Sequence, residues 1–229
     1  MKKTKKFLAI ILAILMVISI IPVTASAATY SGDCGGNLTW TYDDATCTLT
    51  ISGTGDMTDY KYNNRPWENY EDKIETVVIN DGVTRIGNYV FYSCSKLANV
   101  TIPDSVTLIG NFVFYGCNSL ADITISNSVT SIGNNVFQGC TGLKSVKIGD
   151  GVETIGNNLF SGCTSLESIT VDKNNSVYHS EGNCLIKTAS KTLIAGCKNS
   201  VIPADGSVTS IGDYAFRSCS SITSITIPD

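Results

Sequence analysis

The sequence predicts a repeat solenoid, built mainly of β-strands and preceded by a separate N-terminal module. Two patterns predict it: a 23-residue period shared by several columns of residues, and an alternation of apolar and polar residues near the end of each repeat. Composition agrees, because the 229 residues are 43% hydrophobic and 16% charged, with 20 glycines. These values exclude a disordered chain and indicate many tight turns.

Residues 1–27 have the pattern of a signal peptide. A basic start with four lysines precedes an apolar run, and Ala25-Ser26-Ala27 offers a small-residue cleavage site. The apolar run is about 15 residues long, whereas a helix needs about 20 to span a bilayer. We therefore expect cleavage and export, with no membrane attachment afterwards; a retained anchor is the alternative. The expected localisation is secreted or cell surface.

Charge and histidine content exclude two classes of function. Removing the first 28 residues leaves 12 basic against 20 acidic residues, a net charge of −8. A nucleic-acid partner is therefore not expected, because phosphate binding needs a basic face. The chain holds a single histidine, His179, and no catalytic serine or cysteine motif accompanies it. We expect no enzyme activity and no catalytic residues.

Residues 28–73 lack the 23-residue period and are predicted to form an N-terminal β-hairpin cap. Two alternating segments, one centred on Trp40 and one on Leu49, flank Asp43-Asp44-Ala45-Thr46. A solenoid needs its first open end covered, and this module precedes that end. The aromatic residues that follow are expected to pack the cap, with a sugar-binding cluster as the alternative: Tyr60, Tyr62, Trp67 and Tyr70.

Residues 74–229 are predicted to form the solenoid. The recurring positions are occupied by isoleucine, phenylalanine, cysteine and leucine, as in Ile109, Phe114, Cys117 and Leu120. Each repeat ends in a short alternating segment, and stacking these segments gives a parallel sheet with rungs about 4.8 Å apart. About seven rungs are expected, ending at Ile79, Ile102, Ile125, Ile148, Val171, Ile202 and Ile227.

The turn of each repeat carries a glycine, an asparagine or aspartate, and the phenylalanine. The glycine column is expected to need positive φ. The residues after it, Asn88 and its equivalents, are of the type that caps a helix, so a short helical turn is predicted there. Phenylalanine and cysteine then point inward and stack from repeat to repeat.

One repeat is enlarged by residues 172–201. Cys184–Lys187 and Thr192–Ala195 flank a short polar segment, which predicts a β-hairpin that projects from this repeat. The other repeats keep their regular spacing up to this point.

The repeats resemble the BspA-type leucine-rich repeats of bacterial surface proteins. The segments Ile102–Val106 and Val208–Phe216 carry the resemblance best, and it covers roughly residues 74–229. The alanine that this pattern has before phenylalanine occurs only at Ala215; valine or leucine replaces it elsewhere. The resemblance implies a leucine-rich-repeat fold and a role in adhesion.

The nine cysteines are read mainly as core residues. Five belong to the repeat columns, where parallel Cβ directions suit a reduced ladder better than disulfides: Cys94, Cys117, Cys140, Cys163 and Cys219. Cys34 and Cys47 are too far apart in the predicted register to bridge, and a bond between Cys184 and Cys197 stays open. No C-x-x-C motif occurs, so no metal site or cofactor is expected.

The candidate binding surface is the exposed, concave face of the predicted sheet. Its side chains are short, polar and almost uncharged: Asn99, Thr101, Asp122, Thr124, Ser145, Lys147, Ser168 and Thr170. Repeat proteins bind partners over such arrays. We expect a secreted or surface binding module whose partner is an extracellular protein, host matrix included, or a glycan. The alternative is a passive structural segment, or a fragment, of a larger surface protein.

Overall fold

The structure is a computed structural model that describes residues 28–228. The predicted signal peptide lies outside the described residues. Within residues 28–228, no helix has the length and apolar character that a membrane crossing requires.

The described chain is almost entirely β-structure. It contains sixteen strands, which are in chain order β1 (Thr29–Gly35), β2 (Asn37–Asp43), β3 (Thr48–Asp56), β4 (Thr76–Ile79), β5 (Val83–Ile86), β6 (Asn99–Thr101), β7 (Leu108–Ile109), β8 (Asp122–Ile125), β9 (Ser131–Ile132), β10 (Ser145–Ile148), β11 (Thr154–Ile155), β12 (Ser168–Val171), β13 (Tyr178–Glu181), β14 (Cys184–Lys187), β15 (Thr192–Ala195) and β16 (Ser210–Ile211).

The N-terminal cap is a three-stranded antiparallel unit that continues into the solenoid. The predicted hairpin is confirmed as β2 and β3, in a register that places Tyr42 opposite Leu49. Strand β1 pairs antiparallel with β2 and was not predicted. Strand β3 runs parallel to β4, with Leu49 beside Val77 and Ile51 beside Ile79. The cap therefore covers the first repeat by extending its sheet.

The solenoid has two rows of parallel strands. One row forms the sheet wall, which comprises β4, β6, β8, β10 and β12. Strands β5, β7, β9 and β11 stack in a second row. The expectation of about seven rungs is wrong in detail, because five strands form the sheet wall. No strand forms at Ile202 or Ile227; the enlarged repeat interrupts the stack before them.

The stacked turns form the opposite side of each regular repeat. We call them the turn wall; it comprises residues 87–94, 110–117, 133–140 and 156–163. The predicted short helical turns are wrong: these segments are hydrogen-bonded turns, and the 3₁₀ turn Glu68–Tyr70 in the cap is the one helical element of residues 28–228.

The asparagine column links repeats instead of capping helices. The Asn111 backbone N–H donates to Asn88 Oδ1 at 2.7 Å, and the Asn134 N–H donates to Asn111 Oδ1 at 2.7 Å. Asn157 continues the ladder in the same way. Asp59 begins it by accepting the Asn88 N–H at 2.7 Å. Each side chain thus satisfies a backbone donor of the next rung.

The glycine column is required for close approach, not for positive φ. A Cβ on Gly110 would lie 2.8 Å from the backbone nitrogen of Asn88, and one on Gly133 would lie 2.6 Å from the carbonyl oxygen of Gly110. Positive φ occurs two residues further on, at 59° in Tyr89 and 56° in Phe112. The backbone of one rung therefore rests directly on the next.

The core of the turn wall is a column of phenylalanines beside a column of thiols. Phe91, Phe114 and Phe137 are fully buried, and neighbouring rings stack at 5.5 and 5.6 Å between centroids. The Cys140 thiol donates to the Phe114 carbonyl oxygen at 2.9 Å, and the Cys163 thiol repeats this contact with Phe137 at 3.0 Å. The predicted reduced ladder is confirmed.

The enlarged repeat contains the predicted hairpin. β14 and β15 pair antiparallel with Lys187 opposite Thr192, and β13 and β16 extend this sheet on its two sides. All nine cysteines carry free thiols, so Cys184 and Cys197 are not bonded to each other. Phe216 does not continue the phenylalanine stack; it lies against Gly196, where a Cβ would overlap its ring.

Candidate binding surface on the sheet wall

The sheet wall aligns the predicted binding residues in two columns. Asn99, Asp122, Ser145 and Ser168 open strands β6, β8, β10 and β12, and the second column lies two residues further along each strand: Thr101, Thr124, Lys147 and Thr170. Six of the eight side chains are exposed, and Ser145 and Ser168 are half-buried. Alternate residues of a strand share a face, so both columns lie on the outer face.

Register is continuous across β8, β10 and β12. Ser145 pairs with Asp122 on one side and with Ser168 on the other. Lys147 likewise lies between Thr124 and Thr170. This part of the surface is therefore a contiguous array, with one ammonium group and one carboxylate among hydroxyl groups.

Part of the hydrogen-bonding capacity of the array is used internally. Ser145 Oγ donates to Asp122 Oδ1, and Thr170 Oγ1 donates to the Val146 carbonyl oxygen at 3.3 Å. The remaining groups face solvent and can exchange water for a partner at little cost in free energy.

The array is divided between β6 and β8. Strand β6 pairs with β4 on its other side, β8 pairs with β10, and within the described residues no ladder joins β6 to β8. The gap is a cleft of about 460 Å³. Its lining includes Val100, Thr101, Asp122, Ile123 and Thr124. The structure therefore brings six of the predicted residues together on β8, β10 and β12, and separates Asn99 and Thr101 from them by this cleft.

The exposed face also extends into the cap, which the sequence analysis missed. Thr76 of β4 lies beside Thr48 of β3, and Thr41 of β2 lies opposite Thr50. The sequence signal was present, because Thr39, Thr41, Thr48 and Thr50 alternate with the buried residues of the hairpin.

A second missed feature is an aromatic stripe on the outside of the turn wall. Tyr89 stacks on Phe112 at 4.7 Å, and Tyr92 stacks on Tyr115 at 4.7 Å, with interplanar angles of 10° and 8°. All four side chains are half-buried. Both pairs are spaced by 23 residues, so the repeat alignment could have revealed them.

The aromatic residues of the cap are packing residues for the most part. Trp67 is fully buried, and its Nε1 donates to the Val90 carbonyl oxygen at 3.1 Å. Tyr70 stacks on Tyr42 at 4.8 Å, and Tyr60 contacts the Trp67 ring edge-on. Tyr62 differs, since 62% of its surface is exposed.

Burial changes the acidity of the core thiols. Burial raises the pKa of the Cys94 and Cys140 thiols to about 12, and this keeps them protonated and weakly nucleophilic near neutral pH. In residues 28–228, no three His, Cys, Asp or Glu side chains converge to hold a metal ion. His179 Nδ1 lies 2.9 Å from Thr188 Oγ1 in the enlarged repeat.

Comparison with solved structures places this architecture among bacterial repeat proteins. A leucine-rich repeat protein from Eubacterium ventriosum is 28% identical, with a TM-score of 0.70; the match covers 88% of this chain and 60% of that one. The chain therefore spans less than two thirds of that relative.

Two further structures show the same fold alone. The T. pallidum leucine-rich repeat protein TpLRR is 21% identical with a TM-score of 0.50, over 80% of this chain and 86% of that one. The pneumococcal vaccine antigen PcpA is 14% identical with a TM-score of 0.51, over 86% and 70% of the two chains.

Sequence comparison identifies the family. No curated protein matches the chain. The model of the BspA type leucine-rich repeat region matches residues 67–182 and 174–229, in 6 copies. Together these ranges cover more than half of the sequence, and they contain the sheet wall and the turn wall described above. The chain therefore belongs to the BspA-type leucine-rich repeat family.

Proposed function

We propose that this protein is an exported recognition module that binds an extracellular protein or glycan through the outer face of the sheet wall. The observation that carries the proposal is the array on β8, β10 and β12, where six polar or charged side chains share one face in continuous register. Membership of a repeat family of binding modules supports it. Export rests on the signal-peptide pattern of residues 1–27.

The chemistry of the array favours distributed binding. Each rung offers two side chains, which are hydroxyl groups apart from one carboxylate and one ammonium group. A neutral hydrogen bond contributes about 0.5–1.5 kcal/mol net. Useful affinity must therefore come from several rungs together. A single change such as Thr124→Ala should weaken binding only a few-fold.

The test begins with a pull-down of immobilised protein against matrix proteins and a glycan array. Surface plasmon resonance then compares wild type with a variant carrying Thr101→Lys, Thr124→Lys and Ser145→Lys. We expect this variant to lose binding of the recovered partner, because two long charged side chains lie on the array and the third lies across the cleft from it, at Thr101. Circular dichroism should show an unchanged fold, since these side chains are exposed or half-buried on the outer face.

A matched control places three lysines on the same repeats outside the array. Thr84, Thr107 and Thr130 are exposed and recur at 23-residue spacing. The variant Thr84→Lys, Thr107→Lys and Thr130→Lys adds the same charge and should bind as wild type does. Normal binding by the first variant would rule out the sheet wall as the site.

A further inference from the structure

The cleft between β6 and β8 exposes the backbone edges of two strands. The short strands that follow β6 and β8 in the chain, β7 and β9, remain paired, with Leu108 beside Ser131. The opening is thus confined to the sheet wall. An unpaired strand edge is a ready template for another extended chain.

Register shows which backbone groups face the cleft. The Asn99 N–H donates backwards to the Glu75 carbonyl oxygen at 3.1 Å. Successive residues of a strand inside a parallel sheet point their backbone groups to opposite neighbours, so the N–H and C=O of Val100 face β8. The same reasoning applies to β8: the Ser145 N–H donates to the Ala121 carbonyl oxygen, which leaves the groups of Asp122 and Thr124 facing β6.

The cleft also uncovers part of the core. Val77 and Val146, which occupy the equivalent position in β4 and β10, are each 1% exposed. Val100 is only partly buried. An apolar side chain on an inserted segment would bury the exposed part of Val100. Burial of apolar surface stabilises a complex.

The charge at the cleft is negative. Asp104 and Asp122 line it and are exposed, alongside the hydroxyl groups of Thr101, Thr124 and Ser126. A cation on the same face, Lys147, lies one strand further along, beside Thr124. Two carboxylates at the mouth favour a partner with basic side chains.

We propose that the cleft binds an extended peptide segment, which inserts as an additional parallel or antiparallel strand between β6 and β8, with apolar side chains inward and basic side chains outward. This inference rests on the proposed function, because it names the class of partner that the sheet wall receives. Addition of a strand to a sheet edge is a general mode of peptide recognition. Insertion between two edges would use the peptide backbone on both sides.

A peptide fits these observations better than a glycan. The free groups of β6 and β8 alternate as donor and acceptor at the spacing of an extended chain, and an extended peptide carries the complementary pattern. A cleft of about 460 Å³ lies in the range of ligand pockets, about 300–1,000 Å³. The strand edges that an inserted peptide would pair with are three residues long in β6 and four in β8.

The first test uses residues 28–229 and an acetylated, amidated heptapeptide in which lysine alternates with valine. Isothermal titration calorimetry should detect binding, and a peptide with glutamate in place of lysine should bind at least tenfold more weakly. Asp104→Asn and Asp122→Asn should each weaken binding of the lysine peptide several-fold. Asp81→Asn is the control, because Asp81 occupies the position of Asp104 one repeat earlier and lies outside the cleft.

Two backbone-methylated peptides separate insertion from other modes. One carries N-methyl groups on the lysines and the other on the valines, so each loses the N–H groups of one edge. Insertion predicts that both lose at least tenfold in affinity. Loss with only one of them would mean addition to a single edge, and loss with neither would mean side-chain binding on the outer face. Either result, or no binding of the parent peptide, would overturn the proposal.

Amide hydrogen exchange tests the cleft itself. In the free protein the amides of Val100, Ile102, Asp122 and Thr124 should exchange much faster than those of Asn99 and Lys147, and the peptide should protect all four. Protection of these amides in the free protein would show a closed sheet and refute the inference. The binding assay that compares wild type with the variant Thr101→Lys, Thr124→Lys and Ser145→Lys uses the recovered partner and not the peptide. The proposed function can therefore fail or succeed independently of the peptide proposal.

Discussion

The two walls of the solenoid behave differently across the same pair of repeats. On the turn wall the Tyr89 N–H donates to the Asn111 carbonyl oxygen at 2.9 Å and the Phe91 N–H to that of Val113 at 3.0 Å. On the sheet wall the corresponding strands β6 and β8 are not joined within the described chain. Stacking of repeats is therefore secured from the turn side, and the sheet side can open without separating the repeats.

Side chains explain this difference. The turn wall holds a fully buried phenylalanine, a buried thiol and a bridging asparagine in each of several repeats. A strand of the sheet wall buries only two aliphatic side chains and presents small polar groups to solvent, as β8 does with Ile123 and Ile125. The larger apolar area and the extra hydrogen bonds lie on one side, which leaves the other side available for binding.

The largest effect should come from the phenylalanine stack. Phe137 is fully buried between Phe114 and Phe160, with ring centroids 5.6 and 5.9 Å away. Phe137→Ala should lower the free energy of unfolding by about 3–5 kcal/mol, because it leaves a cavity that rigid neighbours cannot fill. Urea denaturation measures this change.

A matched variant of the same residue type keeps this test specific. Phe112 lies on the outer side of the same wall and is half-buried against Tyr89. Phe112→Ala should cost less than half as much as Phe137→Ala. Equal losses would mean that the turn wall does not depend on its inner column.

A smaller loss of stability is expected when a glycine of the turn wall is replaced. Gly110 has an ordinary φ but no room, since a Cβ would lie 2.8 Å from backbone atoms of the previous rung. Gly110→Ala should lower the free energy of unfolding by about 2–3 kcal/mol, as overpacking does in other cores. Gly116, in the same repeat, has φ of 70° and no contact closer than 3.5 Å at that position.

Gly116→Ser is the informative partner to this variant, because Ser93 adopts φ of 57° at the equivalent position. A serine in the left-handed backbone conformation lowers the free energy of unfolding by about 1 kcal/mol relative to glycine. A larger loss for Gly116→Ser than for Gly110→Ala in the same urea assay would show that backbone conformation, and not close approach, limits the turn wall.

The sequence predicted the features that the period encodes. The 23-residue spacing of Phe114 and Phe137 could only be satisfied by stacking, so the solenoid, its inward columns and its reduced thiols followed from it. The hairpin of β14 and β15 was predicted at its observed bounds, because alternation and a polar turn coincide there. Strand β1 was missed because Thr29–Gly35 has no such alternation.

The remaining differences between the sequence prediction and the structure arise where one residue type can serve two structural roles. Asparagine both caps helices and bridges rungs, and glycine both adopts positive φ and permits close approach, so Asn111 and Gly110 did not distinguish the alternatives. The cleft had no residue signal at all: Val100 and Ile123 are the same types that occur in the paired strands. Hydrogen bonding between two neighbouring strands depends on the geometry of the whole stack. The residue types in a column of the repeat do not reveal that geometry.

The smallest effect should come from the asparagine ladder, and it separates the two walls most directly. Asn111 Oδ1 accepts the Asn134 N–H at 2.7 Å, and Asn111 Nδ2 donates to Asn88 Oδ1 at 3.2 Å. Asn111→Ala removes these contacts and the bond from Asn134 Nδ2 to Asn111 Oδ1 at 3.1 Å. Water can reach this half-buried position, so the free energy of unfolding should fall by only about 1 kcal/mol. Asn111→Asp keeps an acceptor for Asn134, as Asp59 provides one for Asn88, and should retain more stability than the alanine variant.

Asn99→Ala, on the exposed face of the sheet wall, should change stability by less than about 0.5 kcal/mol. Equal effects of Asn111→Ala and Asn99→Ala in urea denaturation would mean that the ladder does not hold the repeats together, and the difference between the walls would then rest on the phenylalanine and thiol columns alone.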